Sequence, residues 1–198
     1  MNADSPRQVD WGEPQSFGEL CELMACFLEG EGEEAPGCGS VEEETKPLIP
    51  YLAAFNRAGF LTTCSQPGEL SPGWRQRAFV DGFALEETAR RIARLALFTD
   101  LHIVVAPPGY SAGSHQTPVI VRDFMPHGWS GFTSFEKIEF FAEECRSVAV
   151  AELRSAWSVS VVDLVWGRLE YLWEKLSEPL AFSERPHPDL GLEIDFAV

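Results

Sequence analysis

Apolar positions between residues 48 and 59 recur with the period of an α-helix. Leu48, Leu52 and Phe55 lie at i, i+4 and i+7 and are followed by Gly59, so one side of this segment is apolar and suited to pack on a sheet. Glycine takes the left-handed conformation that ends a helix at little cost. The pattern therefore predicts a helix that stops at Gly59, where the chain reverses.

The next segment has the composition of a β-strand. Residues 60–65 read FLTTCS and are followed by Pro67-Gly68, which predicts a strand that ends in a turn. In a regular strand Thr62 and Ser65 point to opposite faces. A site that uses both hydroxyls therefore requires a bulge or a strand end near Cys64.

The rest of the chain alternates between helical and strand patterns. Further helices are predicted at 16–30, 85–96, 135–156 and 169–176, the first capped by Ser16, and further strands at 74–83, 102–106, 118–124 and 157–165. The continuous apolar runs at 102–106 and 118–124 favour strands in the middle of a sheet. We therefore predict an α/β (α+β) fold with a mixed central sheet flanked by helices.

The chain is long enough for one domain with its own core. It has 198 residues, of which 45% are hydrophobic. Residues 1–15 are polar and expected to be flexible, with Trp11 as an anchor; 16–178 form the predicted single domain, and 179–198 form a proline-containing tail.

Net charge and hydropathy limit the expected partners. The formal charge of −16 repels phosphate backbones and anionic membranes, so we expect no nucleic acid or membrane partner. No apolar run approaches the roughly 18 residues of a membrane span, and the polar start has no signal-peptide pattern. The expected location is cytoplasmic.

The cysteines and histidines do not follow metal-binding spacings. Five cysteines are present, an odd number without a CxxC pair, and the four histidines form no HxxxH or HxH pair. We therefore expect reduced thiols and no metal. Cys64, within the predicted strand, is interpreted either as a nucleophile or as a strand thiol.

Polar residues before the central helix and in a later loop are candidates for ligand contact or chemistry. Glu44 and Thr45 lie near a helix N-terminus, which suits polar or anionic ligand groups. The loop 107–117 contains Tyr110 and His115, which are weak candidates for acid–base catalysis. Asn56 and Arg57, at the helix end, are interpreted as structural: they satisfy terminal carbonyls or pair with an acid.

Three segments follow a spacing known from one family. They are Glu44-Thr45, then LAAFNRAGFLTTCSQP at 52–67, then WRQRAFVDGF at 74–83. In order and spacing they resemble the C-terminal regulatory domain of eukaryotic-type methylenetetrahydrofolate reductase, which has an acidic-Thr pair and an LxxxNRxGxLTxxSQP segment. Weaker similarity extends the resemblance over 43–176. The catalytic barrel has no counterpart here, so no flavin is expected.

The resemblance implies a stand-alone domain that binds S-adenosylmethionine or S-adenosylhomocysteine as a sensor or regulator. It implies ligand contacts at positions that carry hydroxyl or carboxylate groups, namely Glu44, Thr45, Thr62, Ser65 and Thr117. A carboxylate accepts hydrogen bonds from a ribose diol or an amino group, and hydroxyls both donate and accept. Gln66 either lines this pocket or holds the turn.

Two other functions stay open at this point. The first is an enzyme that uses the same pocket on an adenosyl sulfonium or another small metabolite, with His115 and Tyr110 as its candidate groups. The second is a protein-interaction module with a degenerate pocket, because the resemblance leaves a protein partner or a homodimer open.

Overall fold

Helices and antiparallel strands build the fold in a computed structural model, which describes residues 9–110, 116–130 and 135–181. The helices are α1 Phe17–Cys26, α2 Ile49–Arg57, α3 Glu86–Ala93, α4 Phe135–Glu144, α5 Ser147–Arg154 and α6 Tyr171–Ala181. The strands are β1 Phe60–Gln66, β2 Glu69–Ser71, β3 Trp74–Gln76, β4 Phe79–Ala84, β5 Leu101–Ala106, β6 Thr117–Arg122, β7 Met125–Ser130 and β8 Trp157–Asp163.

The strands form two four-stranded sheets. The central sheet has the order β1-β4-β8-β5 and contacts helices α1, α2, α3 and α6. The second sheet has the order β2-β3-β6-β7, and Val119 of β6 packs with Phe79 and Val162 of the central sheet. The predicted α/β (α+β) class is confirmed. Mixed strand directions are not observed in the described part of the chain, where every strand pair is antiparallel.

The central helix and its turn agree with the prediction. Leu52 and Phe55 are buried, and α2 ends at Arg57. Gly59 has a φ of 83°, and its N–H donates to the Asn56 carbonyl at 2.8 Å. The left-handed residue directs the chain into β1, which places β1 under α2.

The first helix is shorter than predicted and is extended by a wider turn. Ser16 caps α1 by accepting a hydrogen bond from the Glu19 N–H at 3.2 Å. After Cys26 the chain forms a π-helical turn, Phe27–Glu31, which contains Gly30 at a φ of 97°. Trp11 is buried and donates from Nε1 to the Glu34 carbonyl at 3.1 Å, so it anchors the chain before α1.

Two strand predictions are wrong. The predicted strand 74–83 is two strands, β3 and β4, that belong to different sheets. Between them Arg77 donates to the Pro118 carbonyl at 2.7 Å and its guanidinium lies over the Trp166 ring at 3.9 Å. These long-range contacts hold the chain where it crosses from one sheet to the other.

The predicted central position of the 102–106 strand is also wrong. This strand is β5, at the edge of the central sheet, because β8 lies between it and β4. The sequence pattern did not predict β7, whose exposed MPHGWS sequence contains both proline and glycine. Within the described ranges, no helix is long and apolar enough to cross a membrane.

Candidate ligand-binding site

A cavity of about 230 Å³ lies between α1, α2, β1 and the exposed loop 37–42. Its apolar side consists of four buried residues: Met24, Phe27, Leu28 and Leu52. Its polar side consists of hydroxyl, thiol and charged groups: Cys38, Ser40, Glu42, Thr45, Thr62, Thr63, Cys64, Ser65 and Lys137. An apolar wall facing a few convergent polar groups is typical of a small-molecule site.

A β-bulge in β1 lies where four consecutive residues of the strand line this cavity. Thr62 pairs with Gly82 and Cys64 pairs with Asp81, so the register shifts at Thr63. Residues 62–65 all line the cavity; Thr63 offers its carbonyl oxygen there, while its hydroxyl donates to the Asp81 carbonyl at 3.3 Å. Gly82 permits the close approach, because a Cβ at this position would collide with the Leu61 carbonyl oxygen. A site that uses the hydroxyls of both Thr62 and Ser65 was predicted to require a bulge or a strand end near Cys64, and a bulge is present there.

The Thr62 hydroxyl is oriented by the buried side chain of Asn56. Asn56 Nδ2 donates to Thr62 Oγ1 and to the Leu52 carbonyl, each at 2.7 Å, while Asn56 Oδ1 accepts from the Thr62 N–H at 3.1 Å. The hydroxyl oxygen therefore acts as an acceptor toward Asn56, which leaves its own proton available for a ligand. The structural interpretation of Asn56 is confirmed.

Arg57, the next residue, points away from the cavity. Its guanidinium forms a bidentate pair with Glu29, with both N···O distances 2.7 Å, and contacts Glu22 at 3.1 Å. The structural interpretation of Arg57 is confirmed as well. These contacts join the end of α2 to α1 and to the turn after it. Asn56 therefore fixes α2 to β1, and Arg57 fixes α2 to the α1 segment.

Lys137 and Cys38 both donate to one carbonyl group of the bulge, next to Cys64. Lys137 Nζ donates to the Thr63 carbonyl oxygen at 3.0 Å, and Cys38 Sγ donates to the same oxygen at 3.1 Å. Neighbouring groups partly desolvate the Cys38 and Cys64 thiols and so raise their pKa, although both residues keep exposed surface; the Lys137 charge only partly opposes this rise. Both thiols are therefore protonated at neutral pH, which argues against Cys64 as a nucleophile.

Three of the predicted ligand contacts line this cavity. They are Thr45, Thr62 and Ser65. Glu44 lies beside Thr45 on a 3-10 helix, Glu43–Leu48, but it is exposed and does not line the cavity. It is still near the site, because its neighbour Thr45 lines the cavity. Glu42 supplies the carboxylate in the cavity wall.

The other predicted residues lie elsewhere. Gln66 is buried and donates from Nε2 to the Arg77 carbonyl at 3.2 Å, so it holds the end of β1 rather than lining the cavity. Thr117 begins β6 in the second sheet. Tyr110 lines a separate recess of only about 20 Å³ with Arg154. His115 lies outside the described residues.

Sequence reasoning missed Glu42 and Lys137. Lys137 comes about 70 residues after β1, as the sequence numbering shows, and no local pattern connects the two. One signal was available, since the chain has only three lysines among 198 residues. In the described part of the chain, no three His, Cys, Asp or Glu side chains converge as a metal site requires.

The chain belongs to a protein family described as a domain of unknown function, DUF6919, which matches residues 6–183. No curated protein matches the sequence. The family match spans all of the helices and strands described above.

Proposed function

We propose that this protein is a binding domain for S-adenosylmethionine or S-adenosylhomocysteine and acts as a sensor or regulator. One observation carries the proposal: Thr45, Thr62 and Ser65 line one cavity. They are also three of the positions at which the resemblance to the methylenetetrahydrofolate reductase regulatory domain implies adenosyl contacts. The bulge brings Thr62 and Ser65 together although they lie three residues apart in one strand.

The cavity chemistry supports an adenosyl ligand. The buried side chains of Met24, Phe27 and Leu52 offer an apolar surface to a base or a thioether. The hydroxyls of Thr62 and Ser65 can donate to and accept from a ribose diol. The volume of about 230 Å³ is slightly below the roughly 300–1,000 Å³ of drug-sized sites, so part of the ligand would extend beyond the cavity.

The same chemistry favours binding over catalysis. The described cavity wall contains no histidine, and its two cysteine thiols are protonated because burial raises their pKa. Tyr110 belongs to a different recess. No observation in the described residues supports the enzyme alternative.

Isothermal titration calorimetry tests the proposal directly. Wild type should bind S-adenosylmethionine or S-adenosylhomocysteine, and Ser65→Ala should bind roughly tenfold more weakly, because one hydrogen bond to the ligand is lost. Tyr110→Phe, in the separate recess, is the matched control and should bind like wild type. Mass spectrometry of the incubated mixture should recover the ligand unchanged. Absence of binding heat with either compound would overturn the proposal, and product formation would favour an enzyme.

A further inference from the structure

We propose that Lys137 binds the carboxylate of the ligand's amino-acid end, so that the cavity selects nucleosides that carry an α-amino acid over nucleosides that lack one. This inference rests on the proposed function and adds the class of ligand. It depends on the position of Lys137 in the cavity wall and on the charges around it.

Lys137 differs from the other two lysines of the chain. Lys46 pairs with Glu43, and Lys175 pairs with Glu178 at 2.6 Å. Lys137 has no carboxylate within 4.0 Å among the described side chains, and its one hydrogen bond goes to the Thr63 carbonyl. In a chain with a formal charge of −16, this half-buried ammonium group therefore has donors to spare.

The charge of Lys137 acts on the interior of the cavity. Burial raises the pKa of both Cys38 and Cys64, and Lys137 lowers it in both cases. The two thiols belong to opposite sides of the cavity, one to the loop 37–42 and one to β1. Lys137 Nζ and Cys38 Sγ also donate to the same Thr63 carbonyl oxygen, at 3.0 and 3.1 Å, so the ammonium group lies between the loop and β1, where a ligand carboxylate would accept its free N–H groups.

The same cavity is also lined by a negatively charged residue, Glu42, which could bind the ammonium group of an amino acid. Glu42 is part of the wall, and Glu44 is the neighbour of the wall residue Thr45. An α-amino acid end carries one ammonium and one carboxylate group. Lys137 together with Glu42 presents one complementary charge for each, and the hydroxyls of Thr62 and Ser65 remain for the nucleoside.

The test compares two ligands that differ by the carboxylate alone. Wild type, Lys137→Met, Lys137→Arg and Lys175→Met are titrated with S-adenosylmethionine and with decarboxylated S-adenosylmethionine. Lys137→Met should weaken binding of the carboxylate-bearing ligand roughly 10- to 100-fold and that of the decarboxylated ligand less than about twofold. Lys137→Arg should retain most of the affinity. Lys175→Met removes the same charge outside the cavity and should bind both ligands like wild type.

Three outcomes would overturn the inference. Equal weakening of both ligands by Lys137→Met would mean that Lys137 only supports the cavity wall, and the proposed function would stand. Equal affinity of wild type for both ligands would also show that the cavity does not recognise the carboxylate, while the proposed function would stand. This measurement uses the wild-type protein alone, so it does not depend on whether a variant folds. Absence of binding of either ligand to wild type would remove the inference and the proposed function together.

Discussion

Two half-buried cations in this protein have opposite surroundings. Arg168 donates to both oxygens of the fully buried Asp163, contacts Asp100 at 2.9 Å, and lies over the Tyr171 ring at 3.7 Å. Lys137 donates to one backbone carbonyl and has no carboxylate partner among the described side chains. The first cation has two carboxylate partners and a ring partner, whereas the second lines a cavity.

The difference separates a structural role from a binding role. A buried carboxylate is tolerated only when its hydrogen bonds are satisfied, and Asp163 also accepts from the Val165 N–H at 2.9 Å. The network around Arg168 is complete without a ligand. The groups around Lys137 include Ser65 and Thr62, whose hydroxyls retain hydrogen-bonding capacity. We therefore expect variants of the first cluster to change stability and variants of the second to change affinity.

The largest expected effect is that of Asp163→Ala. This variant leaves the half-buried Arg168 without its main partner, so the free energy of unfolding should fall by about 3–5 kcal/mol. Urea unfolding followed by tryptophan fluorescence measures the change. A loss of less than about 1 kcal/mol would show that the network does not stabilise the fold.

Lys137→Met is the corresponding control in the cavity. Since Lys137 is half-buried and makes one hydrogen bond, to a carbonyl that Cys38 also contacts, its loss should cost less than about 1 kcal/mol of stability. The comparison between the two clusters would fail if this variant were destabilised as much as Asp163→Ala.

Thr62→Val should have an intermediate effect on stability. It removes the acceptor of one Asn56 Nδ2 hydrogen bond and leaves a buried N–H unsatisfied, so the free energy of unfolding should fall by about 1–3 kcal/mol. Ser65→Ala is the matched control, because Ser65 has no side-chain partner among the described residues, and its stability should stay within about 0.5 kcal/mol of wild type. Equal stability losses would contradict the assignment of the Ser65 hydroxyl to the ligand.

The sequence was most informative where the contacts are local. The apolar spacing before Gly59 predicts α2, and the FLTTCS segment predicts β1, because both depend on neighbouring residues. The break between β3 and β4 depends instead on contacts of Arg77 with Pro118 and Trp166. Such contacts join distant parts of the chain and leave no periodic pattern.

The candidate site shows the same division. The resemblance carried by residues 44–67 implied Thr45, Thr62 and Ser65, and strand geometry added the condition that β1 must bulge if Thr62 and Ser65 are both used. Lys137 was missed because α4 reaches the cavity only in the folded protein. A single lysine forms no recognisable sequence motif. Lys137 stands out only in the structure, where Lys46 and Lys175 pair with carboxylates and Lys137 donates to a backbone carbonyl.

The smallest expected effect concerns the outer ion pair of the Arg168 cluster. The hydrogen bond from Arg168 is the largest cause that lowers the pKa of Asp100. A lowered pKa in the folded state stabilises the fold above the unfolded-state value of about 3.9, and this contribution is lost as pH falls through the folded-state value. Because Asp100 is largely exposed, Asp100→Asn should cost less than about 1 kcal/mol at pH 7.

The pH dependence distinguishes this outer pair from the buried one. Urea unfolding of wild type and Asp100→Asn should differ slightly at pH 7, and the difference should shrink as pH falls below about 4, because protonation of Asp100 removes the same charge as the substitution. Added salt at pH 7 should also reduce it, since exposed charges are screened. A difference that persists at a pH low enough to protonate Asp100 in both the folded and the unfolded state would mean that Asp100 contributes through packing rather than through its charge, and the cluster would then depend on Asp163 alone for its electrostatic stabilisation.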